Sequence, residues 1–85
     1  MTTKTNGAAV HEPLKTSVER AVGQFLKELD GQKIRGLYDL VMQEVEAPLL
    51  QIVMTHTEQN QTQAADMLGL SRGTLRKKLK IYGLL

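Results

Sequence analysis

The segment NQTQAADMLGLSRGTLRKKLKIYGLL, residues 60–85, decides how the rest of the chain is read. It predicts two short helices joined by a tight turn, the first over about Gln61–Leu68 and the second over about Arg72–Tyr82. Asn60 is a capping residue, because its side-chain oxygen can accept a backbone N–H of the opening turn. Gln63, three residues on, completes the pattern of a capping box. Gly69 falls just past the first helix, where a left-handed residue is usual and glycine takes it without steric cost. Ser71 then caps the second helix. Ala64 and Ala65 are small enough for two helices to approach closely. Leu68, Leu70, Leu75 and Leu79 are spaced to fill the angle between them. This is the plan of a helix-turn-helix, whose second helix enters the DNA major groove.

Charge agrees with that plan. Residues 61–85 hold Arg72, Arg76, Lys77, Lys78 and Lys80 against Asp66, a net +4, whereas residues 1–60 hold six bases and eight acids, a net −2. The total of +2 therefore hides a strongly basic end, which points to a polyanionic partner for that end alone.

Length sets a further constraint. Eighty-five residues make one small domain with a marginal core. The chain has no cysteine and only two histidines, so disulfide and structural zinc are not its staples. Oligomerisation is the remaining common remedy. Nothing asks for a metal or a cofactor, and no Ser–His–Asp set, phosphate loop or redox pair argues for an enzyme. No apolar run approaches the roughly 20 residues of a membrane span. The opening lacks a signal-peptide core. The expected location is the cytoplasm.

Upstream of the basic end, residues 1–13 are small and polar and read as a flexible arm. Asn6–Gly7 is a weak hairpin-turn signal within it. Pro13 suits the opening of a helix. Leu14, Val18, Ala21, Val22, Phe25 and Leu29 then recur at helical steps, giving an amphipathic helix over about 14–29. Asp30–Gly31 stops it, and a loop runs to Gly36. The next helix spans about 37–57, with apolar residues around most of its girth. One short helix and a two-helix unit cannot cover all of that surface, so a symmetric dimer is expected through Leu37, Leu40, Val41, Val45, Leu49, Ile52 and Val53. A packed monomer core is the plainer alternative. Pro48 should kink this helix rather than break it at Ala47, because the apolar pattern runs through it without loop residues. Met42, Met54 and Met67 read as core filler. The resulting division is an arm (1–13), dimerisation helices (14–59) and a DNA-binding unit (60–85).

GLYDLVMQEVEAPLL (36–50) and NQTQAADMLGLSRGTLRKKLKIYG (60–83) together resemble the Fis family, bacterial nucleoid proteins named for factor for inversion stimulation. The resemblance covers about residues 13–83. It implies an all-α fold of four helices per subunit, two forming an intertwined homodimer core and two the helix-turn-helix. It also implies a DNA-bending protein of the bacterial nucleoid, which compacts chromosomal DNA, regulates transcription and can assist site-specific recombination. The implied partners are double-stranded DNA with an A/T-rich centre and G/C at its ends, and, among proteins, RNA polymerase or a DNA recombinase.

Matching position by position, the resemblance assigns Asn60 and Thr62 to the DNA backbone and flanking bases. It makes Arg72 the main base-reading arginine, and Thr74, Arg76, Lys77, Lys78 and Lys80 phosphate-binding or groove-facing residues. Ser71 stands where the family type has asparagine, keeping the cap but reaching less far. Glu58 and Ile81 replace basic flank positions, so weaker bending is expected. The first residues are also fewer than the family's N-terminal arm.

The residue types suit the chemistry. Arginine reads guanine O6 and N7 through two parallel hydrogen bonds, lysine neutralises phosphate, and an A/T centre is read through its deformability. Other readings compete, four in all. The basic run RKKLK alone could be a solvated face or a membrane-surface helix. The same module also ends enhancer-binding transcription activators, although MTTKTNG reads as a natural start and the length as that of a complete small protein. A dimerisation scaffold without DNA function is the last.

Overall fold

A computed structural model describes residues 12–85; the expected arm, its Asn6–Gly7 turn and His11 lie outside the described residues. Among the described residues there are four helices and no strand: α1 (Leu14–Glu28), α2 (Leu37–His56), α3 (Gln61–Leu68) and α4 (Arg72–Ile81). The fold is all-α. Leu29, Thr57 and Tyr82, read from sequence as last helical residues, are the C-caps of α1, α2 and α4. The chain divides into two compact units, one up to Arg35 and one from Gly36 onward.

In the first unit, Pro13 precedes α1 and its carbonyl accepts the N–H groups of Thr16 and Ser17 at 3.0 and 3.2 Å. Proline offers no side-chain cap, and Glu12 supplies anchoring from outside the helix. Its carboxylate accepts from the Ser17 hydroxyl at 2.7 Å and from both terminal nitrogens of Arg20 at 2.9 and 2.6 Å. The Arg20 and Ser17 hydrogen bonds hold the Glu12 carboxyl below its ordinary pKa. No residue of α1 is fully buried.

The second unit holds the core. Leu50, Val53 and Met54 of α2, Ala64 and Ala65 of α3, and Leu75 and Leu79 of α4 are buried together. Leu68, Tyr82 and Leu84 pack against them. The expected leucine set is therefore largely present: Leu75 and Leu79 are fully buried and Leu68 joins the edge, while Leu70 is half-buried outside the cluster. Truncating Leu50, Leu75 or Leu79 to alanine should cost about 2–5 kcal/mol, the usual range for buried leucine. The alanines let α3 lie close to both neighbours.

Helix α2 runs unbroken through Pro48, as the continuous apolar pattern predicts. It carries two apolar stripes. Leu50, Val53, Met54 and Thr57, at helical spacing, face the core. The buried Thr57 hydroxyl is satisfied by donating to the carbonyls of Val53 and Met54 at 3.0 and 3.3 Å. The second stripe, Tyr38, Met42, Val45, Leu49 and Ile52, is rotated by about 100°, one residue of an α-helix. It is bare by comparison: Tyr38 is 76 % and Ile52 67 % exposed.

This placement corrects one expectation. Val53 was assigned to a dimer face with Leu37, Leu40, Val41, Val45, Leu49 and Ile52, but it is only 8 % exposed and lies in the chain's own core. The other six are half-buried or exposed. The methionines also divide. Met54 is core, whereas Met42 and Met67 are exposed, so broad apolar composition overstated how many the core could take.

Candidate nucleic-acid interface

Helix α3 starts where its capping residue permits. Asn60 is extended, and its Oδ1 accepts the Gln63 N–H at 3.0 Å. The reciprocal half of the expected capping box does not form. The Asn60 N–H that it would use donates instead to the Thr57 carbonyl at 3.0 Å. Thr62 stands exposed in the first turn. At the far end Gly69 is left-handed, with φ 74°, and Leu70 N–H reaches back to the Ala65 carbonyl at 2.9 Å. That backbone reversal places α4 beside α3.

Helix α4 is capped in the same way. The Ser71 hydroxyl accepts the Thr74 N–H at 3.1 Å and donates to Thr74 Oγ1 at 2.9 Å. Both polar functions of Ser71 are thus spent inside the helix start, which limits what it offers to a ligand. Arg72 follows at the first helical position, exposed. Leu75, Leu79 and Tyr82 turn one face of α4 into the core. Gly73, Arg76, Lys77 and Lys80, at steps of three and four residues, lie on another face and are all exposed. Arg76 is steadied by donating to Gln61 Oε1 at 3.0 Å, a bond that ties α4 to the start of α3.

Lys78 departs from its expected role. Its ammonium lies 2.8 Å from Glu46 Oε2, with both side chains about one-third exposed. The Tyr82 hydroxyl donates to the other oxygen, Glu46 Oε1, at 2.6 Å. Lys78 is therefore committed to α2 rather than presented with the other cations. Hydrogen bonds from Lys78 and Tyr82 lower the Glu46 pKa from the ordinary carboxylate value, and the bond to Glu46 raises that of Tyr82. The clamp ties α2 directly to α4.

In the sequence Glu46 belongs to no motif, and with Glu44 two residues away the two carboxylates face different sides of a helix. A signal was present nonetheless. Glu46 stands four residues before Leu50 and Tyr82 three after Leu79, so both sit on core-facing stripes where a polar group needs a partner. The remaining assigned residues, Asn60, Thr62, Ser71, Arg72, Thr74, Arg76, Lys77 and Lys80, are on α3 and α4 or at their caps, and all are exposed.

The arrangement is a two-helix unit with a buried apolar seam and an exposed cationic face, braced by a third helix. It suits phosphate neutralisation with insertion of α4 into a groove. Residues 41–82 match the family described as bacterial regulatory protein, Fis family. The match begins inside α2 and takes in the whole helix-turn-helix. The chain thus carries a DNA-binding transcription-regulator fold, and through this segment it belongs to the Fis family of bacterial regulatory proteins.

Proposed function

We propose that the chain acts as a homodimer that binds and bends DNA, organising the bacterial nucleoid in the cytoplasm and regulating transcription. The observation that carries this reading is the exposed face of α4, where Arg72, Arg76, Lys77 and Lys80 stand without an acid among them. Arg72, at the first position of that helix, is the residue to read a guanine edge. Arg76, Lys77, Lys80 and Thr74 serve phosphate, with Asn60 and Thr62 on the flank. Dimerisation is supported by the apolar surface that α2 leaves exposed, Leu40, Leu49 and Ile52 among it. Leu37, Leu40, Val41, Val45, Leu49 and Ile52 are the residues through which it would pair with its symmetry mate.

Two recognition helices held closer than one DNA turn of about 34 Å require the duplex to bend. Bending costs roughly 1–6 kcal/mol, offset by flank contacts. Glu58 and Ile81 supply none of the positive charge such contacts use, so the bend should be shallower than in a Glu58→Arg, Ile81→Lys variant. Equal bend angles in a circular-permutation assay would refute that.

The test of the whole reading is fluorescence anisotropy on a duplex of about 27 base pairs, longer than two DNA turns. It would carry terminal G/C pairs and an A/T centre, with a G/C-centred control, at several salt concentrations. A steep salt slope, preference for the A/T centre and a loss of about 1–3 kcal/mol at the guanine in Arg72→Ala are expected. Weak binding indifferent to both centre and Arg72 would reject the reading.

A second reading, the DNA-binding end of an enhancer-binding activator, draws on the family match starting at Val41 and leaving α1 outside it. It predicts site binding without compaction of long DNA, which single-molecule extension measurements separate from the first. RNA polymerase and a DNA recombinase are proposed protein partners of the first reading only.

A further inference from the structure

We infer that Gly73 is a point of close approach, where the backbone of α4 lies directly against the sugar-phosphate backbone of bound DNA; this rests on the DNA-binding reading above. Glycine inside a helix costs stability relative to alanine, through the freedom lost on folding. Such a position calls for a reason, and among the described residues nothing accounts for it. Among the described residues the left-handed glycines are Gly31, Gly36, Gly69 and Gly83, and Gly73 is not one of them. A Cβ placed on Gly73 would meet nothing within 4 Å. Capping is already performed by Ser71.

What separates Gly73 from an ordinary helical glycine is its surroundings, and they point outside the chain. Gly73 opens the exposed stripe that continues as Arg76, Lys77 and Lys80. A cationic stripe faces a polyanion. Every atom removed from its leading end lets the helix settle deeper against that partner. Gly23 of α1 is the internal standard. A Cβ there also meets nothing within 4 Å. Its helical neighbours Glu19, Arg20, Leu26 and Lys27 mix both charge signs with an apolar residue, however, so no such partner is indicated.

Thermal melting and anisotropy on the A/T-centred duplex would be run on the full chain with Gly73→Ala, Gly73→Gln and Gly23→Ala. Both alanine variants should melt higher than wild type. Gly73→Ala should weaken DNA binding by about tenfold, equally for both duplex centres, and Gly23→Ala should leave it unchanged. Gly73→Gln should lose more than Gly73→Ala, because the bulk is greater. The reverse order would mean that helix rigidity is responsible and would overturn the inference. So would Gly73→Ala binding as tightly as wild type. Wild-type protein that binds no duplex in a salt-dependent way would reject the DNA-binding reading itself, before any variant is compared.

Discussion

The turns on either side of α3 close by the same hydrogen-bond pattern with different residues. After α3, Gly69 N–H donates to the Asp66 carbonyl at 3.2 Å and Leu70 N–H to the Ala65 carbonyl at 2.9 Å, with Gly69 in the left-handed region. After α2, Glu58 N–H donates to the Thr55 carbonyl at 3.1 Å and Gln59 N–H to the Met54 carbonyl at 2.8 Å. There the left-handed residues are Glu58 and Gln59, at φ 53° and 68°. A side chain makes that conformation costly by about 1–2 kcal/mol per residue, a cost glycine does not carry. Sterics alone would not choose Glu58. The turn holds because its neighbours over-determine it, with Val53, Met54 and Thr57 buried on one side and the Asn60 cap on the other. One turn is specified by its own residue, the other by what surrounds it.

The comparison can be broken most forcefully at Gly69. Gly69→Ala should destabilise the fold by about 1–2 kcal/mol in urea unfolding, the cost of a left-handed Cβ. Since a Cβ there meets nothing within 4 Å, backbone strain alone would be read. A neutral result would show that the turn relaxes. Next come the caps that follow the turns. Asn60→Ala and Ser71→Ala should each cost about 1 kcal/mol, because each accepts the N–H three residues on, at 3.0 and 3.1 Å. A much smaller loss at Asn60 would mean that the packed surroundings, and not the cap, hold the first turn. The smallest stability change is a gain. Glu58→Gly should stabilise by less than about 1 kcal/mol, since relief of strain is partly offset by glycine's greater freedom when unfolded. Loss of stability would remove the claim that this turn is strained.

A pH series sharpens the same contrast, because the Glu46 clamp braces α4 without passing through either turn. The Glu46 carboxyl is held below 4.5, mainly by Lys78 and then by Tyr82, so its contribution is complete above 4.5 and is lost as pH falls through its lowered value. The Tyr82 hydroxyl is raised above 10.0 by its bond to Glu46, so that contribution is complete below 10.0 and is lost as pH climbs through the raised value. Glu46→Gln should flatten the acid limb of the urea midpoint plotted against pH. An unchanged limb would assign acid sensitivity elsewhere.

Much of this was legible in the chain, and for identifiable reasons. Helix punctuation is local: Asn60, Gly69 and Ser71 act within a few residues, and each does what its chemistry demands. The run of apolar residues through Pro48 likewise preserved α2 as one helix. What escaped were pairings across the unit. Composition marks Lys78 as one more cation of RKKLK, and only the packing of α4 against α2 commits it to Glu46. Periodicity marks Val53 as apolar but does not say which of two stripes it joins. The missing half of the capping box has the same origin, since the Asn60 N–H donates to the Thr57 carbonyl and is not free for Gln63.

The Tyr82–Glu46 hydrogen bond joins residues 36 positions apart. That separation has a kinetic meaning. The α3–α4 seam forms between neighbours along the chain, whereas the clamp must close a loop spanning both, and closure entropy grows with loop length. It is therefore expected to form late, after the chain has crossed its folding barrier. In a chevron plot, Glu46→Gln should lift the unfolding arm and leave the refolding arm in place. The clamp would then act as a latch on the lifetime of the folded state rather than as a guide in reaching it.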